Sequence, residues 1–413
     1  MKPTQSRHCS ALRNLCSVNV IYIHIPFCRS FCTYCDFYSE VAAKCRKAED
    51  ARMQEVMFRQ FAEALAEEVR ARADEISDET NTLYIGGGTP SVLPLYVFEH
   101  LLQVLEEVGH GGPYSEFTVE VNPEDIVEKG VDYVEGLLRL GVNRISMGVQ
   151  SFDDSILKFM NRRHDADNAR KAYSILEQAG VENISIDLIF GLPQLSDEQW
   201  KDTLNSALNI SAKGEFPKHI SAYQLSVEPG SMLARMVERG QWEEASEELC
   251  EHQYRMLCDV LRDAGYVHYE ISNFALPGHE ALHNSAYWRY IPYAGFGPGA
   301  HSFFSVIQDG SEGQAEKSSI RQWNAPDLKK YMENPTGVSE SEELTSEQII
   351  IEHIMLALRT AGGISEAYLL ENGVAEAVQE AIRNGLLVRL PEGQVRIPED
   401  RFFISDSIIS EIV

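Results

Sequence analysis

No stretch of this chain approaches the ~20 consecutive apolar residues that a membrane-spanning helix needs, and a helical span is not expected. Positive charge is scarce: 36 Lys and Arg stand against 63 Asp and Glu, a formal net charge of −27. Such a chain lacks the basic face that non-specific binding to nucleic acid or to an anionic bilayer requires. Neither partner is expected, although the charge places no limit on small ligands. Cysteine is sparse and unevenly spread, eight in 413 residues, which does not suit a secreted disulfide scaffold. Internal repeats and low-complexity tracts are missing as well. What is present is enough for folding: 44% hydrophobic residues supply a sizeable core, and the length suits one large domain plus a smaller one. The cysteines are expected to be free thiols in a reducing compartment, the cytoplasm.

Three of the cysteines do cluster. Cys28, Cys32 and Cys35 lie in Tyr22-Ile-His-Ile-Pro-Phe-Cys-Arg-Ser-Phe-Cys-Thr-Tyr-Cys-Asp-Phe37, a C-x3-C-x2-C loop after a short apolar strand. Soft thiolates favour iron–sulfur clusters, and a [4Fe-4S] cage normally uses four. A cage of three leaves one iron open for another ligand. Cys9, Cys16, Cys45, Cys250 and Cys258 share no such loop and are not expected to join it.

From Val20 to about Ser226 the chain alternates strand and helix patterns. Strands are expected at Ile21–Phe27, Thr82–Ile85, Phe117–Val121, Arg144–Val149, Ile184–Phe190 and His219–Leu225. Helical periodicity covers Gln54–Ile76, Val131–Leu140, Asn168–Ala179 and Asp197–Ile210, with Gly141 and Gly180 at helix stops. Repeated strand–helix units imply a parallel sheet with right-handed crossovers. Six of them suggest an open partial (β/α)6 barrel, an α/β fold whose chemistry sits at the carboxyl ends of the strands. The stretch 308–319 is rich in Gly, Ser and charge and reads as an exposed connection. Beyond it, helices and a two-stranded wing suggest a mainly helical, winged-helix-like C-terminal domain. The expected division is an N-terminal extension over 1–19, a core over 20–307 and a small domain over 320–413. The extension is basic and acid-free like a presequence, but it shows no amphipathic helix and is expected to be disordered.

The cysteine motif resembles the radical S-adenosylmethionine (SAM) superfamily. The words around it resemble the branch that holds oxygen-independent coproporphyrinogen III dehydrogenases (HemN) and HemW haem chaperones. The resemblance implies a [4Fe-4S] cluster whose open iron is chelated by the amino and carboxylate groups of SAM, reduced by an external electron donor. Cleavage of the SAM sulfonium would then give a 5′-deoxyadenosyl radical. It also implies that Gly87, Gly88 and Thr89, in Gly86-Gly-Gly-Thr-Pro90, contact SAM, and that Tyr22 and Tyr34 flank the cage, Tyr34 against the adenine. Glu120, Gln150, Arg162 and Asp187 lie at or near later strand ends. Two acids, an amide and a guanidinium match the sulfonium, ammonium, carboxylate and ribose of SAM. Asp187, inside an apolar strand, demands a partner most strongly.

Two features separate the members of the branch. HemN-type enzymes carry a further cysteine two residues past the third ligand, where this chain has Phe37, and their N-terminal extension is mostly missing here. The segment His283-Asn-Ser-Ala-Tyr-Trp288 matches the H-N-x-x-Y-W motif of the HemW group, linked there to haem. A neutral imidazole ligates haem iron well and aromatics stack on a macrocycle. His283 is the expected ligand, Tyr287 and Trp288 an apolar wall, and Asn284 an orienting residue. His301, in Phe-Gly-Pro-Gly-Ala-His, is a second choice, and no C-x-x-C-H attachment site occurs. The two motifs are far apart in sequence, so the haem site is expected to be separate from the cage. The resemblance implies a haem carrier with a [4Fe-4S] cluster and SAM, handing haem to an acceptor protein, which includes a transient membrane-protein acceptor. No catalytic residue is assigned. The rival expectations are coproporphyrinogen III decarboxylation in porphyrin biosynthesis, and radical chemistry on another substrate.

Overall fold

The computed structural model of the chain describes residues 16–42, 48–309 and 315–413. Cys9, Cys45 and the first fifteen residues of the expected extension lie outside them. The last part of that extension is anchored: Val18 bridges to Ile76, and the Cys16 amide donates to the Ser305 carbonyl at 3.0 Å.

The six expected strands form and run parallel: β1 Val20–Ile25, β2 Thr82–Gly87, β3 Glu116–Val121, β4 Arg144–Gln150, β5 Ile184–Phe190 and β6 His219–Gln224. The crossovers are α1 Ala48–Ala71, α2 Leu95–Glu107, α3 Pro123–Arg139, α4 Asp154–Phe159, α5 Ala166–Ala179 and α6 Asp197–Leu208. The helix expected from Val131 forms as the second part of α3, set off by a kink at Gly130 (φ +71°); the first part, from Pro123, a residue that suits the first turn, with Asn122 at the cap, lies outside the expected range. β7 Val267–Glu270 and β8 Asn273–Ala275 extend the sheet antiparallel beyond β6, and β9 Ala294–Phe296 pairs parallel with β1. The order is β9-β1-β2-β3-β4-β5-β6-β8-β7, an open barrel.

The strands obey a period of two that decides what the barrel encloses. Ile21, Ile23, Leu83, Ile85, Phe117, Val119, Ile145, Met147, Ile186 and Leu188 alternate outward into the helix layer and are buried in one continuous core. Between them, Tyr22, His24, Tyr84, Glu120, Arg144, Ser146, Ser185, Asp187, His219 and Ser221 occupy the opposite face. A parallel sheet covered by hydrophobic layers on both sides would read as unbroken apolar runs. Here one face is polar, which creates an interior for ligands.

The stretch 308–319 corrects its expected form as an exposed connection. Its residues 308–309 and 315–319 belong to β10 His301–Asp309 and β11 Ala315–Asn324, which pair with each other, β11 also pairing with β12 Ser339–Leu344, in an antiparallel sheet; residues 310–314 of the expected connection lie outside the described residues. The wing hairpin Val388–Arg389 and Gln394–Arg396 joins Ile364–Ser365, beside helices at Ser346–Ala357, Glu366–Glu371 and Ala375–Arg383, in the winged arrangement expected. Among the described residues no helix is long and apolar enough to cross a membrane.

Candidate functional site

A cavity of about 460 Å³ opens at the carboxyl ends of the barrel strands. Its upper wall is the cysteine loop. Pro26 ends β1, and Phe27–Cys28 then pairs with Glu40–Val41, while Phe27 packs edge-on against Phe58 and Phe61 at 5.0 and 5.1 Å. Across the loop, the Thr33 amide donates to the Met160 carbonyl at 3.1 Å and the Asn161 amide to the Phe31 carbonyl at 2.7 Å. Arg29, between the first two cysteines, ion-pairs with the buried Asp125 of α3 at 3.1 Å. The loop is thereby held on both sides, and Cys28, Cys32 and Cys35, all free thiols, face the cavity.

A hydrogen-bonded circuit joins two of the thiols to the strand ends. Thr89 Oγ1 lies 3.4 Å from Cys28 Sγ, and Asn122 donates to Thr89 Oγ1 at 3.1 Å. Arg162 donates to Asn122 Oδ1 at 2.7 Å, to the Gly148 carbonyl at 2.6 Å and to Cys32 Sγ at 3.4 Å. Burial pushes the Cys35 thiol up to about 12 and raises that of Cys28, so a cluster held here would have to displace their protons. Among the described residues no group of three His, Cys, Asp or Glu converges as on one metal ion. A [4Fe-4S] cluster instead takes one thiolate per iron, so its ligands ring the cluster without meeting.

The glycine loop supplies the next wall. Gly87 has φ of +107°, and a Cβ there would stand 2.7 Å from the His24 ring. A Cβ on Gly88 would meet the Phe27 carbonyl oxygen at 2.7 Å and Cys28 Sγ at 3.1 Å. Only glycine lets this turn lie against the cysteine loop. The Gly87 amide donates to Glu120 at 3.1 Å, and the Tyr84 hydroxyl donates to the same carboxylate at 2.6 Å. Burial nevertheless pushes the Glu120 carboxyl up to about 7, Tyr84 opposing and Asp187 adding to the shift. Asp187 accepts from Ser146 at 3.0 and 3.1 Å, and its carboxyl too is raised by burial. Gln150 sits at φ +68°, strained for a residue with a side chain, and its Oε1 is a buried acceptor without a partner. Arg162 Nε is a buried donor in the same condition.

These features fit the expected cofactors: free thiols in a ring, a cradle no Cβ could enter, and orphaned polar atoms facing a cavity. Tyr34, Gly87, Gly88, Thr89, Glu120, Gln150, Arg162 and Asp187 all line it with the cysteines. Tyr22 does not; its hydroxyl bonds His24 Nδ1 at 3.1 Å, just behind the wall. Sequence reasoning missed Asn122, Tyr84, Ser146 and Arg144. The last three share the inward face of their strands with Glu120 and Asp187, so the alternation itself could have named them.

His283, the expected haem ligand, is a buried residue. It is 1% exposed in the helix Leu282–Trp288, with Nδ1 on Thr82 Oγ1 at 2.9 Å and Nε2 on the Tyr287 hydroxyl at 2.8 Å. Its ring stacks on Tyr84 at 4.9 Å, and Glu116 caps the helix by accepting from the Leu282 and His283 amides. Burial, with Arg144 nearby, lowers the imidazole to about 3. As placed, both ring nitrogens are engaged. His301 is exposed on β10, its ring stacked on Trp323 at 6.2 Å. The two motifs approach each other at one residue: Asn284 lines the same cavity as the cysteines, because the His283 helix packs against β2, while His283, Tyr287 and Trp288 do not line it.

A family model described as the Radical SAM superfamily matches residues 22–207. A protein of Synechocystis named heme chaperone HemW is 33% identical over 84% of this chain and 79% of its own length. A Bos taurus protein, radical S-adenosyl methionine domain-containing protein 1, mitochondrial, is 29% identical over 95% of this chain and 87% of its own. Among solved structures, coproporphyrinogen III oxidase (HemN) of Escherichia coli matches with a TM-score of 0.74 and 21% identity, covering 96% of this chain and 90% of that one. At that identity the likeness shows the fold.

Proposed function

The chain belongs to the HemW family of the radical SAM superfamily, and from that premise we propose that it is a haem carrier that binds haem and delivers it to an acceptor protein. The observation that carries this reading is the kinship with HemW proteins over most of the chain, beside which stands the His283–Trp288 sequence. Cys28, Cys32 and Cys35 would hold the [4Fe-4S] cluster, and the glycine loop, Glu120, Gln150, Arg162 and Asp187 would hold SAM. When bound, the pair supplies one-electron chemistry. The protein's own part is to keep the thiols in a ring, to donate to Cys32 through Arg162, and to enclose two buried carboxyls against the cationic ligand.

Phe37 is 64% exposed at the position where the enzyme branch has a further cysteine, and it leaves the cavity mouth apolar there. The reading therefore includes no decarboxylation of coproporphyrinogen III. The test pairs two assays on anaerobically reconstituted protein: haemin titration followed at the Soret band with transfer to an apo-haem protein, and turnover of coproporphyrinogen III with SAM and a reductant. Saturable haem binding with transfer and no product is expected. Multiple turnovers to protoporphyrinogen IX would replace this reading with the enzymatic one.

A further inference from the structure

The floor of the cavity holds a buried guanidinium that makes no hydrogen bond and no ion pair among the described residues, although Glu120 and Asp187 lie within electrostatic reach of it. Arg144 opens β4, is 1% exposed and lines the cavity. Its Nε is a buried donor without an acceptor. The nearby acids feel its charge but take their hydrogen bonds from other groups. Asp187 is taken by Ser146, and Glu120 by Tyr84 and the Gly87 amide. A guanidinium cannot escape burial by losing its proton, and its planar fork of five donors matches a carboxylate or a phosphate bidentately; of these the haem carries carboxylates. Asn284 stands on the same floor, half-buried, and its amide likewise has no hydrogen-bond partner among the described residues.

The backbone of Arg144 lies deeper along β4 than the rim, while its charge reaches Glu120 and Asp187. Gly148, whose carbonyl receives Arg162, is four residues further along β4. At a strand rise of ~3.3 Å per residue that is ~13 Å. Arg162 and the cysteines form the rim, and Arg144 with Asn284 forms the floor.

We infer that the floor is a carboxylate site for a second ligand, with Arg144 as a bidentate anchor and Asn284 as an added donor. The inference rests on the haem-carrier reading and deepens it: the carboxylate is a propionate of the haem. The same chemistry could come from the methionine carboxylate of SAM, and the experiment separates the two sources.

Cluster-reconstituted full-length protein is titrated with haemin, with haemin dimethyl ester, whose carboxylates are masked, and with SAM. The wild type should bind haemin about 10- to 100-fold more tightly than the ester, the worth of a charge-assisted hydrogen bond. Arg144→Gln should bind acid and ester alike with its SAM affinity unchanged, and Arg144→Lys should recover part of the preference. Equal binding of acid and ester by the wild type overturns the inference and leaves the carrier reading standing. A wild type that binds no haemin overturns the carrier reading and the inference with it. An Arg144→Gln protein that loses SAM affinity but keeps the haemin preference assigns the guanidinium to SAM and overturns the inference. Should Arg144→Gln not fold, Asn284→Ala on the cavity surface decides: it must reduce the acid preference, and an unchanged preference overturns the proposal.

Discussion

Tyr287→Phe isolates the question of whether His283 can ligate haem. In the structure the His283 imidazole is a core residue: Thr82 Oγ1 engages Nδ1 at 2.9 Å and the Tyr287 hydroxyl engages Nε2 at 2.8 Å. The ring is neutral at working pH, since burial lowers it to about 3, so ligation carries no cost of deprotonation. The obstacle is the tyrosine. If Nε2 is to reach iron, the Tyr287 hydrogen bond must break first, while Nδ1–H can keep donating to Thr82 and hold the ring, as the outer partner of a ligating histidine commonly does. Phenylalanine keeps the edge-on packing of residue 287 against His283 at 5.0 Å and against Tyr293 at 4.6 Å, and removes only the hydroxyl. A buried hydrogen bond is worth about 1 kcal/mol net, so the variant should bind haemin about 5-fold more tightly if His283 is the ligand. The same change leaves a buried imidazole nitrogen unpaired and should cost about 1–3 kcal/mol of folding stability. Haemin titration at the Soret band and denaturant unfolding of the apo-protein read the two effects separately. Lower stability with unchanged haemin affinity and an unchanged Soret maximum would refute the ligand role and leave His283 as a core histidine.

The six parallel strands and the cysteine loop were legible because they rest on local signals, β-branched runs bounded by turn residues and three thiols within eight positions. The strand-end residues were legible for a related reason: a charged side chain such as Asp187 in an apolar run needs a partner, and the barrel provides it as Ser146 from the neighbouring strand. The pairing of 315–319 was hidden because β11 is a polar strand, Ala315-Glu-Lys-Ser-Ser-Ile-Arg-Gln-Trp-Asn324, whose pairing is set by a partner sheet rather than by its own pattern. The placement of His283 was hidden for a different reason. Nothing in His-Asn-Ser-Ala-Tyr-Trp says that the helix will fold back under the barrel, where Glu116 of β3 caps its first amides across more than 160 positions of sequence. Sequence distance suggested two separate sites. The chain's return path brings one residue of the second motif, Asn284, into the cavity of the first.

The remaining predictions test the cage, the SAM wall and the buried histidine. Replacing Cys28, Cys32 and Cys35 together with alanine should abolish the broad iron–sulfur absorbance and bound iron after anaerobic reconstitution, and full cluster content in that variant would remove the assignment. Asp187→Ala and Gln150→Ala should each weaken SAM binding by about 1–3 kcal/mol with cluster content intact, measured by anaerobic equilibrium dialysis; unchanged affinity in both contradicts the placement. His283 should also make stability depend on pH. Its folded-state value of about 3 lies below the ordinary ~6.5 of an unfolded histidine. Between those values the unfolded chain binds the extra proton, so stability rises with pH there; the contribution is complete above ~6.5 and is lost as pH falls toward 3. Between pH ~7.5 and ~5.5 the loss amounts to about 1.4 kcal/mol. His219 and His268 are lowered by burial as well, so the wild type alone would not isolate the effect. The difference in unfolding free energy between wild type and His283→Gln does, because the other histidines titrate in both proteins. That difference should shrink by about 1.4 kcal/mol over the interval, and parallel curves for the two proteins would mean that His283 is hydrated and free to protonate in the fold.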